Sequence, residues 1–176
     1  CIRPFVPESN SSNTPVWTSD WTTQNPDGTQ FIQNGNEYTI NHALGTPGND
    51  CLQRQFKPLQ NVAFEFDAKI GSEGNTGPTL FVESDGGSQE SGGLALRFNQ
   101  NNLEGFFGSW QIIQAVDYNQ WNHYRIVSTL KKIQIYVNGI LKYTYNGTFN
   151  PRSYLKFSNG GSCAVTNYIR NIQISP

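Results

Sequence analysis

Charge is what this 176-residue sequence has least of: Asp, Glu, Lys and Arg together make 14% of it, against about a quarter in an average soluble domain. Twelve basic residues meet thirteen acidic ones, for a net charge of −1, so no broad field draws the chain to nucleic acid or to an anionic membrane. No apolar run is long enough to span a bilayer, which argues against membrane insertion. Helical periodicity of useful length is missing as well. There are two histidines, His42 and His123, and neither has an acid or nucleophile neighbour in sequence. No metalloprotease, P-loop or nucleophile-elbow motif occurs.

Cysteine is scarce too. Cys1, Cys51 and Cys163 are too few for a disulfide framework and too widely spaced for a zinc knuckle or a redox pair. One bridge and one odd thiol are expected. Cys51 with Cys163 is the preferred pair because both fall beside expected strands; Cys1 with either partner is the rival. No signal peptide is legible before Cys1, and both a processed lipoprotein and a released module fit such a start. Asn10 and Asn146 head glycosylation sequons that count only in a eukaryotic secretory pathway.

What fills the surface instead is Asn, Gln, Ser, Thr and Gly, hydrated but uncharged, so neutral polar ligands fit it best. The length is that of one domain with one core, here residues 1–176. Residues 1–29 read as a mostly irregular lead-in in which Trp17 and Trp21 pin the chain to the body. Beyond them, strands follow in quick succession. In NVAFEFDAKI, Val62, Phe64, Phe66, Ala68 and Ile70 face one way and Glu65, Asp67 and Lys69 the other. Phe31 to Asn41 forms a hairpin about Asn34-Gly35. Pro78–Ser84 and Gly93–Asn99 alternate, and a further hairpin carries Phe106, Phe107 and Trp110.

The stretch from Asn119 to Gly147 carries three antiparallel strands. Tyr124, Ile126 and Ser128 alternate with His123, Arg125 and Val127, and Trp121 at the strand's start is expected in the core. Ile133, Ile135 and Val137 alternate with Lys132, Gln134 and Tyr136 ahead of the turn at Asn138-Gly139. A plain two-residue loop there would set Ile135 opposite Lys142. A bulged turn pairs Ile135 with Leu141 and Ile133 with Tyr143, and is expected for that reason. About a dozen short strands imply an all-β fold, a two-sheet antiparallel sandwich or jelly roll.

Three segments then carry a resemblance: Trp121-Asn122-x-Tyr124-Arg125-Ile126, Ile135-Tyr136-Val137-Asn138-Gly139, and Tyr168-Ile169-Arg170-Asn171-Ile172. With FEFDAKI and the turn Gly74-Asn75-Thr76-Gly77, they resemble the concanavalin A-like jelly rolls over residues 60–175. That group includes laminin G-like modules, carbohydrate-binding modules and 3-keto-disaccharide hydrolase-like domains. The matched residues are mostly those a sandwich needs for packing and turning, so the likeness speaks for fold more than for activity.

The resemblance implies that Glu65, Asp67 and Lys69 lie on a central strand of a concave sheet. In the related endo-glucanases that strand bears the catalytic carboxylates. Here Lys69, Ile70 and Gly71 stand where a further Glu is needed, so hydrolysis by this strand is not expected and no catalytic residue is assigned. The row, with Glu83 and Arg97, reads either as a mutually neutralising sheet face or, joined by Phe81, Asn99 and Trp110, as a sugar site. Trp110 fits core packing equally well. Calcium is the one cofactor the resemblance raises, with Asp20, Asp27, Asp50 and Asp117 as oxygen donors.

The expectation is therefore a non-catalytic, lectin-like domain that holds a polysaccharide or oligosaccharide on its concave sheet. It would be secreted or displayed at the cell surface as part of a larger multidomain protein. The alternatives are a polysaccharide lyase or keto-disaccharide hydrolase on the same scaffold, and a laminin G-like adhesion domain that binds protein.

Overall fold

A computed structural model describes residues 18–24, 28–42, 50–71, 77–86, 92–159 and 164–176. Among them there are fourteen strands and no helix. In chain order they are β1 (Thr22–Gln24), β2 (Gln30–Asn34), β3 (Glu37–His42), β4 (Cys51–Leu59), β5 (Val62–Lys69), β6 (Pro78–Ser84) and β7 (Leu94–Asn99). Then follow β8 (Asn102–Phe106), β9 (Trp110–Ala115), β10 (Trp121–Ser128), β11 (Lys132–Val137), β12 (Ile140–Asn146), β13 (Arg152–Asn159) and β14 (Val165–Ser175).

They form two antiparallel sheets of seven strands. Sheet I has the order β1-β4-β13-β6-β7-β8-β9, and sheet II the order β12-β11-β10-β5-β14-β3-β2. Consecutive strands pair as hairpins from β6 to β9, from β10 to β12 and in β2-β3, while the pairs β4-β13, β13-β6, β10-β5, β5-β14 and β14-β3 join distant parts of the chain, as expected of the jelly roll.

The two-residue alternation decides what lies between the sheets. Phe64, Phe66 and Ala68 of β5 are buried, and so are Leu80 and Val82 of β6, Leu96 and Phe98 of β7, and Leu155 and Phe157 of β13. Aromatic contacts tie sheet to sheet: Phe66 meets Phe157 edge-on at 5.2 Å, Phe98 meets Tyr124 at 5.3 Å and Phe56 meets Phe64 at 6.0 Å. Burying each such side chain contributes about 1.5–3 kcal/mol. On one side the edge strands nearly close the sandwich, where Phe107 stacks on Tyr143 and Tyr145 and Tyr143 Oη donates to Gln111 Oε1 at 3.0 Å.

Three expectations need correcting. The turn after β11 is a plain two-residue loop: Val137 pairs with Ile140, and Asn138 and Gly139 have φ of +51° and +78°. The bulge comes further on, between Ile135 and Tyr136, and skips Lys142. Ile135 thus faces Tyr143 and Ile133 faces Tyr145, so the buried face stays apolar by another route. Trp121 is not core but half-buried on the outer face of sheet II, because it shares the parity of His123 and Arg125.

Cys51 is a free, buried thiol, so the expected Cys51–Cys163 bridge is not formed. Its strand partners are Gln24 and Ser158. Cys1 and Cys163 lie outside the described residues, as does Trp17. Of residues 1–29 the structure describes β1 and its flanks, and the Trp21 ring there lies 5.8 Å from Tyr38 and 6.2 Å from Phe157.

Candidate functional site

On the outer face of sheet I, successive strands place Phe81 (β6) beside Arg97 (β7), Arg97 beside Glu104 (β8), and Phe106 (β8) beside Trp110 (β9). Trp110 lies between two rings, 5.4 Å from Phe106 and 6.0 Å from Phe81. All three rings are half-buried rather than sunk in the core. The Arg97 guanidinium carbon sits 4.0 Å from the Trp110 centroid, and its Nε donates to Glu104 Oε2 at 2.6 Å. Asn99 Nδ2 donates to Glu104 Oε1 at 3.2 Å, while Asn99 Oδ1 is buried without a hydrogen-bond partner.

Lys156 of β13 closes the row, with Nζ 2.5 Å from Glu83 Oε2. Burial alone would draw the Lys156 ammonium down, but the hydrogen bond and charge of Glu83 outweigh it and hold it above its ordinary value. Trp110 is therefore part of an outward aromatic platform with one arginine at its edge, not of the core.

Glu65, Asp67 and Lys69 are elsewhere. They project from β5 on the outer face of sheet II. The eight residues expected to share a concave face are split between opposite surfaces of the sandwich: Phe81, Glu83, Arg97, Asn99 and Trp110 on one, Glu65, Asp67 and Lys69 on the other. The reason is strand order. β5 pairs with β10 and β14, whereas β6 pairs with β7 and β13.

The β5 row meets a histidine that sequence alone left without an acid. His123 Nδ1 donates to Asp67 Oδ1 at 2.9 Å, and its Nε2 lies 3.7 Å from Glu65. Arg125 pairs with Glu65 at 3.1 Å, and Asn171 Nδ2 donates to Asp67 Oδ2 at 2.8 Å. Burial pushes the Asp67 carboxyl up, but the His123 and Asn171 hydrogen bonds and the charges of His123 and Arg170 hold it below the usual carboxylate range. Lys69 lies 4.2 Å from the Tyr168 ring, and Arg170 3.9 Å from the Trp121 ring. This face is the mutually neutralising kind.

Sequence reasoning missed Glu104 and Phe106 on sheet I and the His123–Asp67 pair on sheet II. The parity of β8 could have flagged the first two, but nothing local could have joined residues 56 positions apart. Calcium gains no ligand set. Among the described residues no group of three His, Cys, Asp or Glu side chains is placed to hold a metal ion, and Asp50 accepts from the Thr29 backbone N–H at 2.6 Å. Asp27 is outside the described residues.

The family model of the 3-keto-alpha-glucoside-1,2-lyase-like domain matches residues 9–175. No curated protein matches the sequence. Among solved structures, a sialidase superposes with a TM-score of 0.73 at 12% identity, over 88% of this chain and 17% of the sialidase. The binding domain of botulinum neurotoxin DC in complex with SialylT gives 0.63 at 15% identity, over 89% of this chain and 42% of that one. A functionally unknown protein from Saccharomyces cerevisiae gives 0.64 at 11% identity, over 89% and 96%. At such identities the likeness is one of fold, and this chain spans a minor part of the sialidase and of the neurotoxin structure.

Proposed function

This chain belongs to the 3-keto-alpha-glucoside-1,2-lyase-like domain family, and we propose that it holds an oligosaccharide on the outer face of sheet I without cleaving it. The observation that carries this reading is the platform of Phe81, Phe106 and Trp110 with Arg97 fixed at its edge. Pyranose C–H faces pack on aromatic rings, while hydroxyls seek planar amide, guanidinium and carboxylate partners. Asn99 Oδ1, buried and unpartnered, is an acceptor of that kind at the platform's margin. Neighbours of the same fold add support: one is bound to SialylT, and the cell entry of botulinum neurotoxin type C depends on two ganglioside molecules.

The absence of cleavage is argued from the carboxylates on this face. Glu83 and Glu104 are each tied to a cation, Lys156 or Arg97. A glycan array with the isolated chain tests the reading, and silence on every glycan would turn the account toward a protein-binding, laminin G-like role. On this reading the chain works outside the cell, secreted or displayed within a larger protein; recovery only from the cytosol of the producing cells would refute that placement.

A second reading rests on His123. A 1,2-elimination beside a 3-keto group needs a base for the C2 proton and an acid for the leaving oxygen. On sheet II, His123 between Asp67 and Glu65, with Arg125 and Arg170 close by, supplies groups of that class. Release of an unsaturated product from a 3-keto-glucoside, lost in His123→Gln, would establish it.

A further inference from the structure

Glu83 and Glu104 on the outer face of sheet I are each paired with a cation, and in both pairs the cation is the member nearer to solvent. The Arg97 side chain is 20% exposed against 10% for Glu104, and Lys156 26% against 7% for Glu83. The acids lie low against the strands, so the charges that a ligand meets first there are positive.

Glu104 does compete for Arg97, but at one nitrogen. It takes Nε at 2.6 Å, and among the described residues neither Nη group donates to a protein acceptor. The Trp110 ring, 4.0 Å from the guanidinium carbon, steadies the group from another direction. Asp85, just past β6, is occupied by the backbone N–H and the hydroxyl of Ser153. Lys156 stands in register with Glu83, and β6 separates its strand from that of Arg97. Two inter-strand spacings put the cations on the order of 10 Å apart, with Phe81 on the strand between them.

We propose that the sugar chain held on sheet I is acidic, a uronic acid oligosaccharide with one carboxylate on the Arg97 Nη groups and another at Lys156. The inference rests on the platform reading above and names the class of sugar. Two Nη groups side by side match the two oxygens of a carboxylate. The ammonium is a point charge that takes a second carboxylate in any orientation. Pyranose rings between them lie along the aromatic side chains. A neutral chain makes the same ring contacts and gains neither ionic one. Beyond Glu104, in register with it on the edge strand β9, Ile112 is 63% exposed, which offers a place to change the local charge without touching either ion pair.

The test is calorimetric titration of the chain with an oligogalacturonate and with its methyl ester, which keeps the rings and hydroxyls and removes the charge. At low salt the acid is expected to bind about tenfold more tightly than the ester, as one charge-assisted contact allows. Replacing Arg97 leaves Glu104 without its partner, so the variants are made at Ile112. Ile112→Glu should weaken the acid roughly fivefold and spare the ester, and Ile112→Lys should strengthen the acid by a similar factor. Equal affinity for acid and ester, or an acid preference that neither variant alters, would overturn the assignment and leave the platform standing. So would an array on which only neutral glycans bind. Silence of every glycan would remove platform and assignment together.

Discussion

The Arg97 guanidinium lies over the Trp110 ring, 4.0 Å from its centroid. A cation on an indole face contributes about 0.5–2 kcal/mol, and the same side chain is gripped from behind by Glu104 at 2.6 Å. The indole is thus held before any ligand arrives, which lowers the ordering cost of binding.

Glu104→Gln keeps the shape of that grip and removes its charge. Glu104 is buried, and loss of a charged partner there should cost about 1–2 kcal/mol of stability. Urea unfolding reads the loss directly, and glycan affinity should fall with it. An unchanged midpoint would mean that Arg97 is positioned by the ring alone.

Asp67 governs acid stability on the other sheet. Its carboxyl is held below the usual range in the folded state, so its contribution is complete above the unfolded-state pKa, about 3.9. That contribution is lost as pH falls further, through the folded-state value. Unfolding free energies between pH 6 and pH 2.5 should therefore drop more steeply for the natural chain than for Asp67→Asn. Parallel curves would show that the His123 and Asn171 bonds do not favour the ionised form.

How much of this was legible in the sequence depends on the range of the interaction. Alternation is local, and the inward set of β5 from Val62 to Ala68, the turn at Asn138-Gly139 and the outward set on β7 could all be read from it. The same parity placed Trp121 outward with His123, but its hydrophobicity argued for the core. The bulge that skips Lys142 answers a register conflict visible in the sequence; where along the hairpin it falls is decided by Tyr143 and Tyr145 stacking on Phe107, more than thirty residues away. Face was legible and sheet was not. Nothing local says that β5 lies between β10 and β14 while β6 lies between β13 and β7, so two outer faces were merged into one.

Gly139→Ala tests the turn. A Cβ there meets nothing within 4 Å, but φ is +78°, so the cost is conformational, about 1 kcal/mol. Asn138→Ala should add to it, because the Asn138 side chain accepts from the His123 backbone N–H at 2.9 Å. A neutral Gly139→Ala would contradict the left-handed backbone at that position.

Cys51 should behave as a sheltered thiol. Burial, ahead of all other influences, pushes its pKa up, which suppresses the reactive thiolate. Alkylation before and after unfolding, followed by peptide mapping, should label Cys51 only after unfolding. A Cys51–Cys163 linked peptide would contradict the free thiol.

The central claim, that the outer face of sheet I holds a sugar chain, is tested most directly by titrating a glycan selected on the array into Trp110→Ala by calorimetry, with the fold checked by circular dichroism. The account predicts an intact fold and affinity lowered at least about tenfold, the effect of removing an aromatic anchor from a binding face. Unchanged affinity in a folded Trp110→Ala would place the sugar elsewhere and contradict it.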